Sequence, residues 1–273
     1  MKQIIDLVNA ARLLEKRYGN IKFVIMVGNI ANAEYIEYIL YHNVDIDYIR
    51  MGIGGGACCI TSAQTKVHCP LASLIAAAYY ITSKWKEEHP KEKCPKLVAD
   101  GGIRTYADII TALAIGADYV MIGTTLSSLY ESASDFYCYY DRNNCFEPIK
   151  SINSSKSKYS LKDDTAKMNY ISLGGVYKRN FGMSTPEAQQ AIDKDKESRL
   201  TEGLVRYIPC VKTFKMWHDE LDGYMKSCMS YLGIFDIKDI QRAKCYIMSP
   251  NASASINKPA DNTLNNQDFF ITE

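Results

Sequence analysis

Four short apolar runs, each ending within one residue of a glycine, constrain the fold of this chain more than any other feature. They cover residues 23–29, 44–51, 97–100 and 117–123, and a helical pattern lies next to each. Strands that alternate with helices form a parallel sheet or a barrel. In such folds ligands bind at the carboxyl ends of the strands, where all four glycine-bearing loops lie. The order predicts an α/β fold with its functional site at that edge.

Periodicity and composition predict the remaining segments. Apolar side chains repeat along residues 1–17, which predicts an amphipathic helix with one face formed by Ile4, Ile5, Val8, Ala11 and Leu14. Further helices are predicted over 71–88, 187–198, 217–231 and 236–244. Residues 132–173 are polar and without a clear period, so we interpret them as an excursion that includes a short hairpin. The Asn- and Ser-rich tail, 250–273, is predicted to be disordered.

The loop after the second apolar run carries two adjacent cysteines behind a glycine-rich stretch that starts at Gly52. Glycines let the backbone approach a ligand closely, and a thiol held in such a loop can act as a nucleophile. Part of the loop also fits a dinucleotide-binding fingerprint, but no acidic residue lies between Asp47 and Glu87 to hold a ribose. An active-site loop with Cys59 as nucleophile is therefore favoured, and a turn with two inert cysteines stays open as an alternative.

Composition limits the class of protein. Nine cysteines at irregular spacings, with no signal peptide, predict reduced thiols and a cytoplasmic location. A net charge of +1 disfavours a partner held by electrostatics, such as nucleic acid or a membrane surface. The four histidines form no cluster in the sequence, which disfavours a metal site of the usual kind.

The motifs, taken in order, resemble the IMP dehydrogenase and GMP reductase family, whose fold is a (β/α)8 barrel. The residues that carry the resemblance are Gly28-Asn29, Gly52-Ile53-Gly54 with Gly56, Cys59 and Thr61, Asp100-Gly101-Gly102, Gly116-Ala117-Asp118, Val120-Met121-Ile122-Gly123, Gly182-Met183-Ser184, Glu202-Gly203 and Tyr231-Leu232-Gly233. The resemblance implies a partial TIM-barrel catalytic domain over residues 1–249. It contains only the last four βα units, a flap region at 174–210 and C-terminal helices.

The sequence after the eighth strand of the family's barrel separates the two branches of this family. Phe181-Gly182-Met183-Ser184 is closer to the reductase form, and the segment from Met183 to Glu202 lacks the Arg-Tyr pair that activates water in the dehydrogenases. Arg206-Tyr207 follows Glu202, where the family continues as a strand, so we interpret that pair as a coincidence. GMP reductase is therefore the preferred activity. IMP dehydrogenase and a catalytically silent, nucleotide-binding half-barrel are the alternatives.

The resemblance implies a chemistry for the reductase. Cys59, as a thiolate, attacks carbon 2 of the guanine ring, and ammonia leaves after protonation. NADPH supplies the hydride that gives IMP, whereas the dehydrogenase alternative uses NAD to make XMP from IMP. Thr61 and Glu202 resemble the pair that relays the proton to the departing amine. Two competing interpretations stay open. Glu202 is a solvated surface acid in one of them, and in the other the nucleophile is Cys58, which is otherwise a packing residue.

The resemblance also implies the binding residues. Asp100 matches the acid that binds both ribose hydroxyls, with the alternative that it caps the next turn. Gly102, Gly123 and Thr124 match residues that contact the phosphate. Asn29 matches a residue that contacts the cofactor. Other matched substrate positions are Gly101, Met183, Ser184, Arg199 and Gly203; Arg199 also lies in a charged run, 193–199, typical of a solvated helix face. A monovalent cation, K+, is implied at the backbone of Gly54, Gly56 and Cys59.

The chain departs from the family pattern in two ways. Ala57 stands where the family has a phosphate-binding serine, and Ser62 and Leu71 replace an arginine and a glutamine. The chain also matches only the second half of the barrel, which predicts two unpaired strand edges. A second polypeptide, the pairing of two copies, or a truncated reading frame would each explain this. A separate N-terminal half-barrel chain, within a homo- or hetero-oligomer, or a truncated reading frame is favoured, and GMP and IMP are the expected small-molecule partners.

Overall fold

The computed structural model describes residues 2–140, 145–148, 175–192 and 203–246. Helices and strands alternate through its first part: α1 (Lys2–Tyr18), β1 (Met26–Ile30), α2 (Glu34–Tyr41), β2 (Tyr48–Met51), α3 (Thr61–Thr65), α4 (Leu71–Glu88), β3 (Lys96–Asp100), α5 (Tyr106–Ile115), β4 (Tyr119–Met121) and α6 (Thr124–Ser127). The second part holds β5 (Phe136–Tyr140), β6 (Cys145–Pro148), β7 (Val176–Phe181), α7 (Pro186–Ile192), β8 (Val205–Pro209), α8 (Phe214–Leu232) and a 3-10 helix, Ile237–Arg242.

The first four strands form a parallel sheet in the order β1-β2-β3-β4. Its central strands are buried by helices, as Ile49, Met51, Leu97 and Ala99 are at most 1 % exposed. These side chains alternate along β2 and β3, so they lie on one face of the sheet. The predicted α/β barrel-type fold with four βα units is confirmed. Because the sheet is open, β1 and β4 each pair with a single neighbour among the described strands.

The predicted face of α1 is partly wrong. Val8 is buried and Ile4, Ile5 and Ala11 are half-buried, as predicted. Leu14 is 42 % exposed, and Arg12 and Glu15 are half-buried instead. The Arg12 guanidinium donates to the backbone oxygen of Phe23 and pairs with Asp47 at 3.1 Å. The face of α1 thus agrees with the prediction except at Leu14, because an ion pair rather than a leucine fixes this end of the helix.

A charged cluster anchors β2 at its amino end. Asp47 accepts from Arg12, from Lys93 at 2.8 Å and from the backbone nitrogen of Ile25 at 2.8 Å. Partial burial raises the pKa of Asp47, but these hydrogen bonds outweigh burial and lower it to about 2 from an ordinary value of 3.8. Folding therefore stabilises the ionised form of the Asp47 side chain relative to its protonated form.

This lowered pKa predicts an acid-sensitive contribution to stability. A folded pKa below the unfolded one stabilises the fold above pH 3.8, and the effect is lost as the pH falls toward about 2. The shift corresponds to about 2 kcal/mol at neutral pH. We expect Asp47→Asn to lower the free energy of unfolding by about that amount at pH 6 and to flatten its pH dependence between 4 and 2. Urea titrations at stepped pH measure this; equal acid slopes for wild type and variant would contradict it. Asp6→Asn, an exposed change of the same charge, is the control.

A second, antiparallel sheet joins the predicted excursion to the predicted flap region. Its order is β6-β5-β7-β8, and β5 with β6 forms the expected hairpin. Lys178 of β7 is 1 % exposed and donates to the backbone oxygens of Ser132 and Ser134 at 3.1 and 2.6 Å. Its ammonium also lies 3.5 Å from the centre of the Phe136 ring. This buried lysine ties the start of the excursion to the flap strand.

The C-terminal helices agree with their predicted positions. α8 begins at Phe214, three residues earlier than predicted, because the Thr213 side chain accepts from the backbone nitrogen of Met216 and caps the helix. The segment predicted as 236–244 is a 3-10 helix, Ile237–Arg242. The predicted tail, 250–273, and residues 193–198 of the predicted helix lie outside the described residues. Among the described helices, none has the length and apolarity that crossing a membrane requires.

Candidate active site

The loops after β2 and β3 are in close contact through their backbones. Gly52 has φ +111°, and a Cβ there would lie 2.1 Å from the backbone oxygen of Asp100. Gly55 and Gly101 approach so closely that a Cβ on Gly101 would lie 2.9 Å from the Gly55 Cα. The backbone nitrogen of Gly102 donates to the Gly55 oxygen at 2.7 Å. The glycines are therefore required by the contact between the two loops.

Cys59 and Thr61 lie together at the end of this loop. The Cys59 Sγ is 3.2 Å from the Thr61 Oγ1, and the Cys59 backbone nitrogen donates to the Gly56 oxygen at 3.0 Å. Both side chains are half-buried, and Thr61 is the first residue of α3. The structure thus brings the predicted nucleophile and one predicted proton-transfer residue into contact.

Cys58 points into the protein. Its side chain is 9 % exposed, and its Sγ is 3.7 Å from the backbone oxygen of Asn180. Burial raises the pKa of the Cys58 thiol, and the nearby charge of Arg206 only partly opposes this. A buried thiol with a raised pKa is a poor nucleophile, which supports the packing interpretation of Cys58.

The flap region contacts the cysteine loop directly. Gly203 pairs with Cys59 in an isolated antiparallel bridge, and the Leu204 backbone nitrogen donates to the Cys58 oxygen at 2.8 Å. A Cβ on Gly182 would lie 2.9 Å from that same oxygen. Of the other predicted flap residues, Met183 is 73 % exposed and Ser184 is half-buried. Glu202 and Arg199 lie outside the described residues.

Asp100 lies in a small polar network that includes an arginine. Both Nε and Nη2 of Arg50 contact its Oδ2, at 2.8 and 2.7 Å. The Asn29 Nδ2 donates to the same oxygen at 3.1 Å and also contacts the Gly52 oxygen. Sequence reasoning missed Arg50. The available signal was a single cation inside an otherwise apolar strand.

A cavity of about 230 Å³ opens between these loops. Asp100, Gly101 and Gly102 form one side, and the stretch 52–55 forms the other. His68 and Leu71 also line it, with Ser62 and Cys69. His68 was not among the predicted site residues, because a lone histidine in a loop gives no pattern to recognise.

The predicted phosphate residues have space around them. A Cβ on Gly102 or on Gly123 would contact no other atom within 4 Å, and Thr124 begins the short helix α6. The carbonyls suggested for a cation already accept hydrogen bonds: Gly54 from the Ser62 hydroxyl, and Gly56 from the Cys59 nitrogen. Within the described part of the chain, His, Cys, Asp and Glu side chains form no group of three that would suit a metal ion.

Comparisons with known proteins agree on one family. Residues 2–259 match the model of the IMP dehydrogenase / GMP reductase domain. Inosine-5′-monophosphate dehydrogenase of Thermoplasma acidophilum is 27 % identical over 94 % of this chain and 45 % of its own length. The enzymes of that name from Borreliella burgdorferi and Cryptosporidium parvum are 26 % and 25 % identical, over 95 % and 88 % of this chain. These matches cover 54 % and 51 % of the lengths of the two relatives.

A solved structure shows the same fold. It is a cysteine-to-alanine variant of GMP reductase from Trypanosoma brucei in complex with guanosine 5′-monophosphate, with a TM-score of 0.69 and 22 % identity. The likeness covers 95 % of this chain and 45 % of the reductase. The chain therefore spans about half the length of the relatives that it matches.

Proposed function

The chain belongs to the IMP dehydrogenase / GMP reductase family of oxidoreductases, and we propose that it carries the catalytic half of a GMP reductase. In this proposal GMP, NADPH and protons give IMP, NADP+ and ammonium. The observation that carries it is the contact between the Cys59 thiol and the Thr61 hydroxyl, at 3.2 Å, beside the flap residue Gly203. A nucleophile with a proton-transfer group within hydrogen-bond distance is what a covalent mechanism requires.

Cys59 is the proposed nucleophile. Its thiolate forms a bond to carbon 2 of the guanine ring, and the bond from that carbon to the exocyclic nitrogen breaks as ammonia leaves. Glu202 is proposed to supply the proton that the departing nitrogen needs, and the Thr61 hydroxyl is proposed to relay it. NADPH, when bound, supplies the hydride to carbon 2, and the bond to sulfur then breaks to release IMP.

Asp100 and the neighbouring loops are proposed to bind the nucleotide. A carboxylate accepts charge-assisted hydrogen bonds from ribose hydroxyls, and Asp100 lines the cavity between the loops. Gly102, Gly123 and Thr124 are proposed to hold the phosphate, which the open space at both glycines supports. Gly101, Met183, Ser184, Arg199 and Gly203 complete the proposed substrate residues.

Asn29 is the proposed contact for the nicotinamide cofactor. Its Nδ2 donates to the Gly52 oxygen and to Asp100, and no donor from the described residues contacts its Oδ1. This oxygen of an exposed side chain can therefore accept a hydrogen bond from a carboxamide. A potassium ion at Gly54, Gly56 and Cys59 is a weaker fit, because two of these carbonyls already accept hydrogen bonds in the loop. Each carbonyl oxygen has two lone pairs, so these oxygens can still contact a potassium ion.

IMP dehydrogenase is the second candidate, and the names of the matched relatives favour it. That reaction needs a group that activates water. Arg206 and Tyr207 belong to β8, where they pair with Asn180 and Arg179 of β7. A strand position in the sheet favours the interpretation that this pair is structural.

A second half-barrel is proposed as the partner. An apolar groove of about 430 Å³ lies between α1 and the free edge of β1, and Leu7 and Val24 on it are 73 % and 71 % exposed. A strand paired with β1 and its following helix would cover these side chains. The same groove would be covered if the other four βα units of the barrel belonged to a separate chain or to the same chain. In either case the protein is proposed to form a cytoplasmic oligomer.

The decisive experiment follows NADPH absorbance in the presence of GMP. The chain is assayed by itself and then with the first four βα units of a relative, such as the Thermoplasma acidophilum protein, and IMP with NAD is the parallel assay. GMP-dependent loss of NADPH supports the reductase, and IMP-dependent formation of NADH supports the dehydrogenase. Binding of GMP without turnover in either preparation would contradict both and support the silent half-barrel.

A further inference from the structure

The two oxygens of the Asp100 carboxylate have unequal surroundings. Arg50 contacts Oδ2 through two nitrogens, at 2.8 and 2.7 Å, and the Asn29 amide adds a third contact at 3.1 Å. Within the part of the chain that the structure describes, no donor contacts Oδ1. One oxygen is therefore held by three donors, and the other is left for a ligand.

The backbone is arranged to let Arg50 reach this position. Arg50 and Gly28 are partners in the register of β1 and β2, and a Cβ on Gly28 would lie 2.7 Å from the Arg50 Cβ. Glycine on β1 thus leaves room for the base of the arginine side chain. The Arg50 and Asp100 side chains are 40 % and 20 % exposed, so the ion pair does not belong to the core, and Asp100 lines the cavity.

We propose that Arg50 is a positioning residue that orients Asp100 to accept hydrogen bonds from the ribose hydroxyls through Oδ1. The inference rests on the proposed nucleotide function. Two guanidinium nitrogens and the Asn29 amide hold Oδ2 in one place, which restricts rotation of the carboxylate about its Cβ–Cγ bond more than a single ammonium would. A partly exposed ion pair adds little to stability, so its main consequence lies in the geometry of the site.

A comparison of two ligands tests this role. The ratio of dissociation constants for 2′-deoxy-GMP and GMP measures how strongly the protein recognises the ribose hydroxyl. We expect a ratio of about tenfold or more for wild type, since a hydrogen bond to a charged group has that effect. In Arg50→Gln the ratio is expected to fall close to one, although both ligands still bind. Calorimetric titration measures both constants, with the complementary half-barrel present if wild type needs it to bind GMP.

Lys96→Gln is the matched control. Lys96 pairs with Asp118 at 3.0 Å and lies at the opposite end of β3 from Asp100, so its loss removes an ion pair of the same sheet without touching the site. This control should keep the wild-type ratio. Arg50→Lys, which keeps the charge but supplies one nitrogen, should lower the ratio by a smaller factor, and it decides the question if Arg50→Gln does not fold.

The outcomes separate the inference from the function on which it rests. A folded Arg50 variant with the wild-type ratio would overturn the positioning role and leave the nucleotide function standing. Wild type that binds GMP and 2′-deoxy-GMP equally would overturn the ribose role of Asp100 and this inference with it. Wild type that binds neither nucleotide, even with the complementary half, would overturn the proposed function itself.

Discussion

Cys59→Ala is expected to lower GMP-dependent NADPH oxidation by about a thousandfold or more while GMP binding stays close to that of wild type. The thiol is half-buried, is in contact with the Thr61 hydroxyl and is held by a loop whose backbone is fixed against the next loop. Alanine removes only the sulfur, so the loop and the binding residues should keep their places. The measurement is the rate of absorbance loss at saturating GMP, together with calorimetric titration of GMP.

Cys58→Ala is the matched control for this experiment. It removes the same atom one residue earlier, but the Cys58 thiol is buried against Asn180 and its pKa is raised by burial. We expect a small loss of stability from the cavity and a rate within a few-fold of wild type. Equal loss of activity in both variants, or turnover that survives in Cys59→Ala, would contradict the assignment of Cys59 as nucleophile.

The sheet was predictable because its signals are local. Each predicted run is short, apolar and ends within one residue of a glycine, and the observed strands of the parallel sheet fall within or overlap these four runs. The long helix α4 has the predicted bounds, since a proline precedes it and another follows its end. The contact between Cys59 and Thr61 was also within reach, because the two residues are separated by one position in the chain.

The parts that sequence reasoning missed depend on contacts between distant segments. Nothing in the spacing of residues says that Arg50 crosses to the end of the neighbouring strand, fifty positions further along the chain, to meet Asp100. The antiparallel pairing of β5 with β7 likewise joins segments on either side of a polar stretch that has no period. The exposed Leu14 shows the same limit for helices, because the face that is buried is set by what the helix packs against.

Gly52→Ala is expected to lower the free energy of unfolding by about 3 kcal/mol or more, among the larger effects of a single substitution. Gly52 ends β2 with φ +111°, where a side chain is strained. The new Cβ would also lie 2.1 Å from the backbone oxygen of Asp100, a distance that no rotamer change can relieve. Relief requires β2 and β3 to separate at their carboxyl ends, so nucleotide binding should be lost with stability. Urea titration at neutral pH measures the first effect.

Gly233→Ala separates backbone strain from the clash. Gly233 caps the end of α8 with φ +66°, but a Cβ there would meet nothing within 4 Å. Its substitution should therefore cost only the strain of a left-handed conformation, about 1 kcal/mol, and should leave the site intact. Equal losses of stability in the two variants would mean that the loops after β2 and β3 are free to move apart. In that case, the close contact between Gly52 and Asp100 would not determine the position of the Asp100 carboxylate beside the cysteine loop.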